Sequence, residues 1–591
     1  MRHSVNNLIL TMLAGACLFL QACTQYDTPL AIAVDKEEPT LSSSDIQRKV
    51  LWINMDGAVG EVVKNSMPQD GNIARLLEKS KYSWTGLSEA RTCEEKNEDP
   101  VTWATMLTGV IPEKHHIIDD SYSAEFDIDP DNPTEKVIYY PTILDYISTE
   151  DANLGILCVT PWTTLNKRYL NSATKTVTAA NDEETKEVVL NSLNNDDYIL
   201  TLLSFSRMLD AGRRGNGGFT SANTAYVDAL SKIDGYIGEF LDAIEARKNA
   251  YYEDWLVVVT SNHGGDTDGH YGNMADATRN TFGIFYFSHY EPQEMKGESM
   301  YAALFNKEIQ AIAYDTLAQY YAMGADKEFS LEFVMRNTPK KDGTYTGNNW
   351  DRIIGKDKWG LYRQRNNVVA RIEAKDASDA SLEASGNGFN DALWHSFVFS
   401  IGKMEGGARP FRMAYDGSVV MNKSISSKGF ENDSTVFTVG GNLPSSHYIA
   451  EIRIWNKVLD DATLAANASL LNIQESNPNY KDLTSYWKFA SDRITNDTIV
   501  QNSISGMLDL NFIRRTTTTE PELDKGKRIS ILELPNTLPE KVKSGNVMME
   551  NTLVVPQILY WLNIKVDSKV DGFTFLNIYK PSEEWREKAL E

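Results

Sequence analysis

A chain of 591 residues with 82 acidic against 58 basic side chains carries a formal net charge of -24, which argues against nucleic acid and against anionic membrane surfaces as direct partners. A hydrophobic content of 42% with 12 tryptophans describes a globular protein, not a disordered one. The length exceeds what one hydrophobic core organises and predicts two or three domains.

The N-terminus opens on Arg2 and His3, and Leu8–Leu20 is an apolar run broken by Thr11 and Gly15. That length suits the apolar part of an export signal and is too short to span a bilayer. The run closes on Leu20-Gln21-Ala22-Cys23, which resembles the box read by lipoprotein signal peptidase. The resemblance implies removal of residues 1–22 and a diacylglyceryl thioether on Cys23, hence a lipid-anchored protein of the cell envelope, in the outer membrane of a Gram-negative bacterium. A plain secretory leader with an incidental cysteine is the other reading. Residues 23–45 form the tether, polar and Pro-containing from Thr24 to Asp45. No later apolar run approaches the roughly 18 residues of a spanning helix, so attachment rests on lipid alone. Cys93 and Cys158 remain; in an oxidising compartment they could pair, and two unpaired buried thiols fit equally well.

Residues 46–325 read as α/β. Val50–Met55 is a short apolar strand with Asp56-Gly57 at its end, and Tyr139–Ile147 turns into a helix. Leu154–Val159, Tyr198–Phe205 and Trp255–Thr260 are further strands. Between the last two, Ala222–Ile244 places Tyr226, Leu230, Ile233, Ile237, Phe240, Leu241 and Ile244 at helical spacing. Strands alternating with helices predict a mostly parallel sheet with helices on both faces, and sites at the carboxyl ends of its strands. Residues 326–515 change character: short alternating runs such as Phe329–Val334, Val368–Ile372, His395–Ser400 and Ala450–Trp455 are separated by Gly, Asn, Asp and Ser, the pattern of an antiparallel β-sandwich. Residues 516–591 form a return segment, with α/β character again over Val554–Ile564.

Four stretches of the first module resemble the alkaline phosphatase superfamily, nearest its nucleotide pyrophosphatase/phosphodiesterase branch. They are Met55-Asp56-Gly57; Trp103–Ile117, with Thr108-Gly109-Val110-Ile111-Pro112; Thr260-Ser261-Asn262-His263-Gly264; and Pro556–Leu559 with Leu562-Asn563-Ile564. The last implies that the sandwich is inserted into the phosphatase-like fold. Hydrolysis in this superfamily uses two metal ions, one activating the nucleophile and one steadying the leaving oxygen. The resemblance maps metal ligands onto Asp56, His263 and His270, with Asn262 where the family has aspartate. The family's Asp-x-x-x-His pair falls on Leu209 and Arg213, with Asp210 one residue away. Arg213 cannot bind a cation and is instead a candidate for holding an anionic group. The nucleophile position falls on Asp99, with Thr102 and Thr92 as fallbacks. Asp99-Pro100 also reads as a helix cap followed by proline at the first helical position, the reading that explains this aspartate without any chemistry. The set implies at most one divalent cation, zinc, calcium or manganese.

The second module resembles a laminin-G/concanavalin A-like jelly-roll sandwich through Phe329–Phe333, Trp394–Phe399, Ala450–Leu459 and Leu483–Phe489. The resemblance implies a glycan or a protein as partner. Trp350, Trp359 and Tyr362 are candidates for an exposed aromatic platform, whereas Trp394, Trp455 and Trp487 belong to strand interiors. Two functions stand side by side. One is an envelope lipoprotein whose phosphatase-like domain is a degraded scaffold and whose sandwich binds a glycan or partner. The other is a metal-dependent phosphoester or sulfoester hydrolase with an atypical, single-metal site.

Overall fold

In a computed structural model of the protein, the structure describes residues 46–88, 98–124, 139–273, 275–297, 299–315, 320–321, 326–337, 349–356, 359–364, 367–372, 380–384, 394–426, 436–440, 446–468, 470–514, 527–530 and 543–579. The signal segment, the tether and Cys23 lie outside these, as do Thr92 and Cys93.

The first sheet has eight strands: β1 (Gln47–Met55), β2 (Ser80–Leu87), β3 (Ile156–Thr160), β4 (Lys175–Thr178), β5 (Leu200–Phe205), β6 (Glu253–Thr260), β7 (Asn280–Tyr286) and β8 (Gln293–Glu294). Their order is β4-β3-β5-β1-β6-β7-β2-β8. Neighbours from β4 to β6 are parallel, and β7 runs antiparallel to both β6 and β2. Along β1, Val50 and Trp52 enter one core while Leu51, Ile53 and Met55 enter another. Alternate side chains of a strand serve opposite faces, so a strand covered on both sides needs an unbroken apolar run. The helix Thr224–Glu245 starts on Asn223, whose side chain accepts from the Tyr226 N–H at 3.3 Å. It lays Tyr226, Leu230, Ile233, Ile237 and Phe240 against the Leu51 side of the sheet, as the spacing predicts.

The opposite face is closed by a segment from the far end of the chain. The helix Val554–Trp561 packs Val554, Val555, Ile558, Leu559 and Trp561 into the core that holds Val50, Trp103 and Leu107. The Leu87 N–H donates to the Met549 carbonyl at 2.8 Å, and the Trp561 indole donates to the Lys49 carbonyl at 3.0 Å. Lys296 and Gly545, on the outgoing and returning chains, are joined by a 2.7 Å backbone bond. The chain thus leaves the α/β unit, builds a second unit and comes back to finish the first core.

Among the described residues that second unit is two antiparallel sheets, of nine and eight strands, around a core that includes Phe333, Trp359, Phe397, Phe399, Phe437 and Trp487. Its sheets reach beyond residues 326–515. Ser299–Phe305 and Ile309–Ala313 supply a strand to each sheet, and Lys527–Ser530 pairs with Ser299–Phe305. These short strands find partners more than a hundred residues away, such as Ile309 opposite Arg514, and local periodicity carries no trace of such pairing. Trp394, Trp455 and Trp487 are buried, as their strand positions predict. Cys158 is a free thiol in β3, and full burial pushes its pKa well up. Among the described residues no helix is long and apolar enough to cross a membrane.

Candidate metal centre

Asp56 stands at the carboxyl end of β1, its N–H held by the Phe205 carbonyl at 2.9 Å. Gly57 follows at φ +70°, where a Cβ would press to 3.1 Å from the Leu209 backbone, so the turn requires glycine. His263 lies three residues beyond β6. Because β1 and β6 are adjacent and parallel, both residues emerge at the same edge of the sheet. Asp99 is the first residue of the helix Asp99–Thr108, with Glu98 at the cap position and no side-chain capping bond. The cap reading of Asp99 is therefore overturned: its carboxylate faces the site. Oδ1 accepts from His263 Nε2 at 2.9 Å and from Asn262 Nδ2 at 3.0 Å, and Oδ2 accepts from the Tyr271 hydroxyl at 3.2 Å.

Asp56, Asp99 and His263 present ligand atoms within 4.8 Å of one another. Asp56 is fully buried. Its Oδ2 accepts from the Trp162 indole at 3.1 Å, while Oδ1 lies 3.4 Å from His263 Nε2 and has no hydrogen-bond donor. Burial, with the charge of Asp99 next, raises the Asp56 carboxyl to about 6, opposed by the nearby His263 and Asn262. Burial alone would drive the His263 imidazole neutral, but Asp99 and Asp56 together hold its pKa at about 10. His263 Nδ1 donates to the Gly264 carbonyl at 2.6 Å, which leaves Nε2 aimed between the two carboxylates. The ring stacks on Tyr271, centroids 4.4 Å apart and planes 6° from parallel. Asn262 is itself fixed: Asn551 of the returning segment donates to its carbonyl at 2.7 Å. Two carboxylates and an imidazole, with one buried carboxylate oxygen lacking a donor, are a donor set that fits one divalent cation.

Among the described residues the ligands of a second ion are not assembled. Leu209 is buried and apolar against Gly57, and Asp210 turns outward to pair with Arg214 at 3.2 Å. Arg213 is exposed, its guanidinium 5.6 Å from the Tyr271 ring centroid. Phe219 fills the space between Gly57, Gly212 and Gly265. The expectation that His270 is a ligand is corrected. It sits on the turn Asp266–His270 with its side chain 71% exposed, 3.5 Å from Asp266. Backbone bonds of that turn hold it out, and its neighbour Tyr271 takes the place at the site. Thr102 is corrected as well: its buried hydroxyl donates to the Asp99 carbonyl at 3.2 Å, inside the helix.

Trp162 and Tyr271 are site residues that the sequence reading missed. No motif marks them, since each touches a carboxylate only after β1, β3 and β6 are assembled. Tyr122 stands in the same field, its phenol raised by burial and then by Asp99, Asp120 and Asp56. His115 is structural: buried, bonded to the Thr105 hydroxyl at 3.1 Å, and accepting the Ile117 N–H at 3.0 Å. In the sandwich, Trp359 is a core residue at 0% exposure and Tyr362 keeps 7%, so neither is the exposed platform expected of them. Alternation along their strand carries Trp359 inward. Trp350 is 40% exposed.

A mostly parallel sheet flanked by helices, with a carboxylate–imidazole cluster at the ends of adjacent strands and at a helix start, defines an alkaline-phosphatase-like domain. Residues 50–309 match the model of the type I phosphodiesterase / nucleotide pyrophosphatase family, so the α/β unit is similar to that family's domain. No curated protein matches the chain. Solved structures similar to parts of it include a protein from Bacteroides ovatus described as a candidate carbohydrate binder, at 11% identity, TM-score 0.29, covering 47% of this chain and 70% of that one. Another is the binding domain of Paraclostridial Mosquitocidal Protein 1, at 13% identity, TM-score 0.21, with 24% and 37% covered. A third is the binding domain of botulinum neurotoxin DC in complex with rat synaptotagmin II, at 14% identity, TM-score 0.23, with 29% and 45% covered. This chain spans less than half the length of the two toxin binding domains.

Proposed function

We propose that this chain is a lipid-anchored envelope protein in which the phosphodiesterase-like domain binds one divalent cation and an anionic group without two-metal hydrolysis, and the sandwich carries recognition of a glycan or partner. One observation carries the reading. Asp56, Asp99 and His263 converge within 4.8 Å, while the positions for a second ion hold Leu209 and Arg213. When bound, the cation supplies a fixed positive charge for an oxyanion. Asp56 and Asp99 would hold it through oxygen, and His263 through Nε2 once that nitrogen is deprotonated. Trp162 and Tyr271 orient the carboxylates, and Asn262 neutralises part of the Asp99 charge. Asp99 at the helix start carries no hydroxyl, and the Thr102 hydroxyl is committed to the Asp99 carbonyl inside its own helix. Arg213, over Tyr271, is the cation at the rim and the partner for an anion. The apolar run ending at Cys23 supports the anchor.

Elemental analysis after equilibration with zinc, calcium or manganese tests the site, with turnover of p-nitrophenyl phosphate, bis-p-nitrophenyl phosphate and p-nitrophenyl sulfate as the second arm. One equivalent of cation and no turnover are expected. Two equivalents, or turnover abolished by Asp56→Ala, would overturn the binding reading in favour of a hydrolase.

A further inference from the structure

One polar side chain interrupts the apolar face of β1 just before the metal centre. Val50 and Trp52 enter the core shared with Trp103 and Leu107 of the helix Asp99–Thr108, and alternation brings Asn54 and then Asp56 to that same face. Asn54 is fully buried, in register with Ser204 of β5 on one side and Thr260 of β6 on the other. Its Nδ2 donates to the Ser204 hydroxyl at 3.2 Å and to Oδ1 of Asn262 at 3.4 Å. The second bond is long, but Asn262 is fully buried too, and among the described residues no other donor reaches that oxygen. Asn262 in turn donates from its own Nδ2 to Oδ1 of Asp99 at 3.0 Å, while Asn551 holds its backbone carbonyl at 2.7 Å. The two amides therefore point the same way, each giving an N–H in the direction of Asp99. Oδ1 of Asn54 is buried without a donor among the described residues, so this orientation is held although one acceptor goes unmet.

We infer that Asn54 is a positioning residue of the metal centre: it fixes the Asn262 amide with its N–H side toward Asp99, and so keeps the Asp99 carboxylate turned to Asp56 and His263. This rests on reading that three-residue cluster as the site of a divalent cation. Turning the Asn262 amide over would set its NH2 against that of Asn54 and its oxygen against the Asp99 carboxylate. Donor would meet donor and acceptor would meet acceptor, at buried amides where unpaired polar groups are costly. Among the described residues no hydrogen bond joins Asn54 to Asp56, Asp99 or His263, so its route to the cation runs through Asn262. Groups that orient metal ligands from behind typically contribute about 10–100-fold to affinity. An asparagine that only filled space between β5 and β6 would contribute to folding and leave the affinity of the folded chain untouched.

The test is calorimetric titration of the full chain in detergent with zinc, manganese and calcium, the tightest of the three then being carried to the variants. Thermal unfolding of each variant shows that it is folded at the temperature of the titration. Asn54→Leu, close in volume and without the amide, is expected to weaken the cation at least about tenfold. Asn262→Ala is expected to do the same. In the Asn262→Ala background, Asn54→Leu should add nothing to the loss, because the group it acts through is already gone. Ser204→Ala removes the other anchor of the Asn54 amide and is expected to give a smaller loss in the same direction. It decides the question alone if Asn54→Leu does not fold, and an unchanged affinity there overturns the role. Unchanged affinity in a folded Asn54→Leu chain overturns it as well. So does a loss that adds in full to that of Asn262→Ala, which would make Asn54 act by another route. A parent chain that binds none of the three cations overturns the cation reading itself, and this role with it.

Discussion

The amide of Asn262 donates to Oδ1 of Asp99 at 3.0 Å, the same oxygen that meets His263 Nε2 at 2.9 Å. An amide and a carboxylate, nearly equal in shape, thus face each other beside the imidazole, and the charge sits on the helix side of the pair instead of the strand side.

Exchanging the two tests whether Asp99 is the cation's carboxylate. Asp99→Asn is expected to weaken divalent-cation binding by at least about tenfold, the lower range for loss of a supporting group at a metal site. The double change Asp99→Asn with Asn262→Asp recovers most of that loss, because the coupled pair keeps one carboxylate and one amide. Titration calorimetry with zinc or manganese reads both. A double variant no better than the single one would remove Asp99 from the ligand set.

His115 predicts an acid-sensitive stability. Burial, and then the charge of His116, depresses its pKa to about 3 from the ordinary 6.5. Its Nδ1 accepts the Ile117 N–H, a bond that a protonated ring cannot make. The unfolded chain takes up this proton near pH 6.5 and the folded chain does not. The contribution is therefore complete above about pH 6.5 and falls by up to about 1.4 kcal/mol per pH unit between there and about 3. Denaturant titrations from pH 7 to pH 4.5 should show a smaller slope for His115→Gln than for the parent chain. Equal slopes would assign the acid sensitivity elsewhere.

Phe219 makes the neighbourhood of the missing second ion intolerant of added volume. A Cβ at Gly265 would meet its ring at 2.2 Å. Gly265→Ala should cost about 1–3 kcal/mol, as overpacking does, and Phe219→Leu in the same chain should return part of it. Thermal unfolding reads the difference, and an unchanged melting temperature for Gly265→Ala would contradict the packing.

The returning segment is part of the first core. Trp561 is buried, donates to the Lys49 carbonyl and lies against Arg48 at 5.3 Å. Trp561→Ala is expected to destabilise the α/β unit by about 3–5 kcal/mol. Protease sites placed beside the strands Ser299–Phe305 and Lys527–Ser530 supply a second measurement. After native cleavage, residues 543–579 should remain with residues 46–290 on size exclusion. Separation of the two would contradict the insertion.

Much of the α/β unit was legible because its strands are buried on both faces. Val50–Met55 and Trp255–Thr260 need unbroken apolar runs, and those runs are visible without any neighbour. The helix Thr224–Glu245 announces itself by its apolar stripe and its Asn223 cap. β2 and β7 were not legible, since Ser80–Leu87 and Asn280–Tyr286 mix polar and small residues and are held by antiparallel partners far along the chain. At the site, Asp56 and His263 follow strand ends and could be placed from there. Asp99 could not, because an aspartate before Pro100 reads as a cap whether or not a histidine stands opposite it.

The sequence alone determined which faces each element buries and where β1 and β6 end. Those are properties of side-chain type and period, which act locally. Tertiary structure alone decided that Asp99 turns to Asn262, His263 and Tyr271, that His270 stays in solvent, that Trp359 enters the core and that Trp350 does not. The physical reason is that a side chain's partner depends on which strand ends and sheet faces are brought together; at Trp350 a one-residue bulge, and at His270 a tight turn, adds a local change of direction.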